Sequence, residues 1–302
     1  MTSLTELHDI LYSPEHAFTR TAFLVSALAS LSFGIIGTFV VVRRIGYIAG
    51  AVAHCAFGGI GIGLFLRQFL ASGALGATFF VPLAKRIDPI FVAVIVAVFC
   101  ALLIGAVQLY GKEREDSIIG AIWSVGMAVG LLFLDKTHGY YSITSYLFGD
   151  VLLVSRTDIF FVGGLGLLVP IIVAICFQQF QAVCFDEEFA RLRGISTGFY
   201  FLFLLVLTAI TVVLMIRVVG IILVIAMLTL PAATAGRLTK RLFPMMLLAV
   251  LLCFTCSWIG LFLSVVYNFS AGPMMILVSA FAYSCVLVFQ KLVYRRRYLF
   301  GP

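Results

Sequence analysis

Eight stretches of eighteen residues or more run without a formal charge: residues 21–42, 45–66, 89–111, 117–134, 159–185, 194–216, 218–236 and 242–290. A bilayer core of about 30 Å takes about 20 mostly apolar residues in helical form, and only helices or closed barrels satisfy their own backbone groups there. The ten-residue alternation of barrel strands is absent. The runs therefore predict an all-α, polytopic integral membrane helical bundle. Residues 242–290 are long enough for two crossings, broken near Asn268 to Pro273 (NFSAGP), which brings the count to nine. Arg217 alone separates 194–216 from 218–236, so eight crossings is the alternative. GYYSITSYLFG (139–149) is apolar but too short to cross and reads as a re-entrant or interfacial piece.

With 63% hydrophobic and 11% charged residues, the chain lacks the polar side chains a soluble surface needs. Residues 1–302 are read as a single transmembrane domain. Nine crossings with the C-terminus inside place Arg43, Arg44, Lys112, Arg114, Arg191, Arg193, Arg237, Lys240, Arg241, Lys291 and residues 295–297 on the cytoplasmic side, 13 of the 20 basic residues. The net charge of +7 is thus a topology signal, and no basic stripe interleaved with aromatics marks a nucleic-acid surface. Residues 1–20 carry Glu6, His8, Asp9, Glu15 and His16, unlike a signal peptide, and are expected at the membrane surface. Seven cysteines lie in or beside apolar runs and read as small buried hydrophobes; Cys253 and Cys256 form a CxxC without a second pair. No loop is long enough for a soluble domain with its own core, and no GxxxxGK[ST] phosphate loop is present. Any energy for transport comes from a gradient or from another chain.

Three motifs stand out. In IAGAVAHCAFGGIGIGLFL (48–66), the four-residue spacing of Gly46, Gly50, His54 and Gly58 puts three glycines and an imidazole on one helical face. That face is either a close packing surface with a hydrogen-bonding histidine, or a pathway wall with a metal ligand. No acidic residue stands within a turn of His54. In FDEEFARLRG (185–194), Asp186 is placed to cap a short helix, Glu187 and Glu188 suit its first turn, Arg191 its last, and Gly194 the position just beyond it. This is either a connecting surface helix or a docking helix presenting Phe189 to a soluble partner. In VVGIILVIAMLTLPAATAGRLTKR (218–241), Pro231 precedes a run of small residues and marks either a packing kink or a hinge. Asp116 and Asp150 read as interface charges, and His138 in DKTHGY as a residue facing the outside entrance.

These blocks, together with KEREDSIIG and YLFGDVLLVSRTD, resemble in order and sequence the permease subunit of the bacterial ABC transporter family that imports zinc, manganese or iron. The resemblance implies a multi-pass protein of the inner (cytoplasmic) membrane with two permease subunits, alike or paralogous. It further implies ATP bound and hydrolysed on separate cytoplasmic ATPase subunits, an extracytoplasmic metal-binding protein, and no tightly held cofactor besides the transported ion. Residues 184–196 then correspond to the coupling loop for the ATPase, through Asp186, Glu187, Glu188, Phe189, Arg191 and Gly194. His54 coincides with the family's pathway histidine. The acidic residue familiar four positions before it is Gly50 here, a departure shared by other family variants. A neutral imidazole supplies no charge to offset cation dehydration, so two His54 rings facing across a dimer make a nitrogen-only site unless a paralogous partner brings the acid.

A gradient-driven secondary transporter or channel is the alternative function, but such proteins use intramembrane carboxylates that these spans lack. A membrane enzyme needs a cluster such as HExxH, and none is present.

Overall fold

The computed structural model describes residues 17–71, 88–110, 115–137, 147–149 and 156–300. His138, Asp150, the first sixteen residues and most of 139–149 lie outside the described residues. The helices, in order, are α1 (Ala17–Val42), α2 (Gly46–Ala71), α3 (Pro89–Tyr110), α4 (Glu115–Lys136), α5 (Arg156–Ile175), α6 (Phe177–Phe185), α7 (Glu187–Leu192), α8 (Thr197–Val219), α9 (Ile221–Leu238), α10 (Leu242–Tyr267) and α11 (Ala271–Phe300). No strand occurs among the described residues. Nine of these helices are long and apolar enough to cross a bilayer, which resolves the choice between eight and nine.

The breaks between spans come from particular residues. Arg44 adopts a left-handed φ of 61° and ends α1. Asn268 does the same at φ 55°, closing α10 with its N–H on the Ser264 carbonyl. Arg217 does not separate α8 from α9; the break is Gly220, at φ 81°. There the backbone of the 147–149 segment is pressed against the corner: a Cβ on Gly220 would meet Gly149 N at 2.2 Å, and one on Gly149, itself at φ 69°, would meet the Val219 carbonyl at 2.3 Å. Only glycine tolerates both the dihedral and the approach.

Chain contacts divide the protein into two units. The first comprises residues 1–42, 150–175 and 226–302. Within it α1 packs on α10 and α5, and α10 on α11. Small residues set these distances: Gly37 lies under the Leu228 carbonyl, Gly34 against Val250 and Gly260 against Met275. Buried hydroxyls donate back along their own helices, as Ser30 does to the Ser26 carbonyl (2.6 Å) and Thr38 to Gly34 (2.7 Å), so no hydroxyl hydrogen of these two is left facing apolar surroundings.

The second unit, residues 43–149 and 176–225, is built around α2, which packs against α3, α4 and α8. The central part of α2 is 83% buried, that of α4 only 17%. The α2–α3 pair runs antiparallel, with Gly59 against Ala93 and Gly63 against Pro89. The α2–α4 pair runs parallel, with Gly58 on the Gly126 carbonyl and Gly61 on the Gly130 carbonyl.

Gly220→Ala is expected to lower stability by more than about 2 kcal/mol, because strain and collision act together. Gly164→Ala, where an added Cβ meets nothing within 4 Å, serves as the neutral reference. Thermal unfolding of the detergent-solubilised protein compares the two.

Candidate metal-pathway site and coupling helix

Helix α2 begins at Gly46, directly after the Arg43–Arg44 turn, and rises through Gly50 to His54. Eight residues of rise place His54 about 12 Å from the helix start. Gly58, one turn further, is part of the glycine contact with α4, so the packing reading holds for that position. Gly50 has a different neighbour. A Cβ there would lie 2.7 Å from Trp123 Cζ3 and 2.8 Å from Cη2, so the indole occupies the space a side chain at 50 would need.

Trp123 in turn stacks on the His54 imidazole, with ring centroids 4.6 Å apart and planes at 28°. The Tyr47 ring also lies beside the indole, 5.6 Å away and tilted by 39°. One turn beyond Trp123 on α4, Met127 brings Sδ to 3.0 Å from His54 Nδ1. His54 is half-buried, and its polar contact among the described residues is this sulfur. No group of three or more His, Cys, Asp or Glu able to hold a metal exists among the described residues. What the arrangement offers a cation is therefore one oriented nitrogen and one thioether, without charge. Sequence reasoning missed Trp123 and Met127; their i, i+4 spacing beside Gly126 and Gly130 in GAIWSVGMAVG was the available signal.

At the foot of α2, Arg43 gathers three contacts. Its guanidinium donates to the Glu187 carboxylate, donates to the Val183 carbonyl at 3.2 Å, and lies over the Phe201 ring at 5.2 Å. Glu187 also faces Arg191 at 3.9 Å. Nearby Cys184 has its thiol pushed up to about 11 by burial, against the opposing pull of Arg43, so it stays protonated at neutral pH. Helix α7 is capped at both ends. The Phe189 N–H donates to Asp186 Oδ1 at 2.9 Å, while Gly194 N–H and Ile195 N–H donate to the Arg191 and Ala190 carbonyls, with Gly194 at φ 76°. Phe185, Phe189 and Leu192 remain exposed, at 60%, 46% and 87%. Glu188 is exposed, whereas Glu187 turns inward to Arg43.

Pro231 lies buried within a continuous α9. Lacking an N–H, it leaves the Met227 carbonyl without its usual partner, and the Cys253 thiol approaches that oxygen at 3.8 Å.

Comparison with known proteins places these features in context. Residues 15–290 match the ABC 3 transport family. The chain is 38% identical over 284 residues to the "Probable metal transport system membrane protein" of Chlamydia muridarum, covering 94% of this chain and 92% of that one. It is 30% identical over 290 residues to the "Manganese transport system membrane protein MntC" of Halalkalibacterium halodurans, covering 96% and 92%. Among solved structures, PsaBC from Streptococcus pneumoniae in complex with Fab superposes with a TM-score of 0.79 at 26% identity, covering 94% of this chain and 95% of that one.

Because the indole fills the space above Gly50, Gly50→Ala is expected to displace it and cost about 1–3 kcal/mol. In a double-mutant cycle with Trp123→Ala the two losses should be non-additive by at least about 0.5 kcal/mol. Additive losses in thermal unfolding would show that the indole and residue 50 do not share this space.

Proposed function

This chain belongs to the ABC 3 transport family, and from that premise we propose that it is the membrane permease subunit of an ATP-driven importer of a divalent transition-metal ion. It is a transport subunit, not an enzyme. A second permease subunit completes the pathway, cytoplasmic ATPase subunits power it, and an extracytoplasmic protein delivers the ion. The membrane is the bacterial inner membrane, with the basic side of the chain and its C-terminus in the cytoplasm.

The observation that carries this reading is the tie between α7 and the foot of α2 through Arg43. Exposed Phe189 and Leu192 give an ATPase groove an apolar hold on a helix of fixed shape. Arg43 bonds both to α7 and to the carbonyl of Val183 in α6, so displacement of this cytoplasmic corner pulls on the turn from which α2 rises. His54 sits on that same helix. ATP-driven movement at α7 is thereby delivered to the ligand-bearing span, and access to His54 alternates. One further pairing respects the same sidedness: Arg217 at the end of α8 meets Asp88 beside the start of α3 at 3.4 Å, on the face opposite Arg43. In α9, Pro231 acts as the hinge, because the thiol that covers the Met227 carbonyl is a weaker donor than a peptide N–H.

His54→Ala should lower metal uptake at least about tenfold, as loss of a metal contact does, while the complex still assembles. Uptake at the wild-type rate would return His54 to a packing role. Arg43→Glu should leave ATP hydrolysis running while transport falls, and Glu187→Arg in the same chain should restore transport in part. Hydrolysis and uptake measured together on reconstituted complexes separate this uncoupling from simple loss of assembly.

A further inference from the structure

We propose that Met127 is the second ligand of the transport site, and that the His54–Met127 pair selects a borderline-soft divalent cation of the zinc type over manganese. This deepens the transport reading above and rests on it.

The geometry supports the assignment. A zinc-type ion holds imidazole nitrogen at about 2.0 Å and thiolate sulfur at about 2.3 Å, donors that stand about 3.0 Å apart at a right angle and about 3.5 Å at the tetrahedral angle; a neutral thioether, the weaker donor, sits somewhat further from the ion. His54 Nδ1 and Met127 Sδ are 3.0 Å apart, so the pair already stands at chelating distance. Both side chains are half-buried, and Met127 sits on the least buried span of its unit, where a thioether is not needed to fill a core. The stack with Trp123 fixes the imidazole plane, and Gly50 makes the room for the indole. The position where a carboxylate would stand is thus taken by an aromatic ring.

The donor set then decides the cargo. Thioether and imidazole suit zinc and its softer neighbours, whereas manganese is served by carboxylate, carbonyl and water oxygens. Among the described residues no acidic group joins His54 in a metal-holding cluster. His54 and Met127 themselves offer a manganese ion neither an oxygen donor nor a charge. A zinc ion gains two donors whose preferences match its own.

The test uses the assembled complex in proteoliposomes, with the same ATPase, partner permease and binding protein throughout, and zinc and manganese chlorides as probes. Met127→Leu should cut zinc transport by about tenfold with manganese changed much less, and Met127→Asp should shift the zinc-to-manganese ratio toward manganese. An unchanged ratio in Met127→Leu, whether both rates hold or both fall together, overturns the proposal and leaves Met127 as packing. X-ray absorption at the zinc edge of the loaded wild-type complex needs no variant: a sulfur shell is expected, and a shell of nitrogen and oxygen alone overturns the assignment. Normal transport in His54→Ala would instead reject the pathway reading itself. A defect in His54→Ala beside a normal Met127→Leu rejects only the second ligand.

Discussion

The close approach of backbones along α2 is the constraint on which the second unit depends. In a bilayer, helices gain no hydrophobic advantage by leaving lipid for one another, so association rests on van der Waals contact and interhelical polar groups. Glycines at 58, 59, 61 and 63 let α2 meet α3 and α4 at backbone distance, on two faces. That closeness is what brings α4 side chains within reach of His54. Larger residues at 58 and 61 would push α4 away and take its side chains out of reach of the imidazole.

From this follows a division of labour along a single helix. The upper glycines of α2 hold it in place, Gly50 admits an aromatic ring, and the Arg43 turn below connects it to α6 and α7. Packing and chemistry are not rival explanations of IAGAVAHCAFGGIGIGLFL. The glycines at 58, 59, 61 and 63 carry the packing, and the chemistry proposed above falls at another turn, at His54.

Much of the architecture was legible in the amino-acid order. Charge-free runs mark where helical spans lie, because a helix needs about 20 mostly apolar residues to cross about 30 Å of hydrocarbon. The caps of α7 were legible too, since Asp186 and Gly194 act on neighbours three or four residues away. The α8–α9 boundary was not placed by Arg217, because a lone arginine at a span end reaches the interface without ending its helix; Gly220 ends it. Neither Trp123 nor Met127 was found beside His54. Their meeting depends on α2 and α4 running parallel in one register, about seventy positions apart in the chain, and helical periodicity carries no information about register between helices. The inward turn of Glu187 was hidden for the same reason: Arg43 is 144 residues away.

The parallel course of α2 and α4 has one more consequence. Much of their contact is carbonyl over glycine, with Gly58 on Gly126 and Gly61 on Gly130. A slip of one residue moves α4 by about 1.5 Å along the shared axis. That distance separates Met127 Sδ from His54 Nδ1 while the two helices stay in contact. On the transport reading proposed above, such a slip would part the nitrogen–sulfur pair without breaking the bundle.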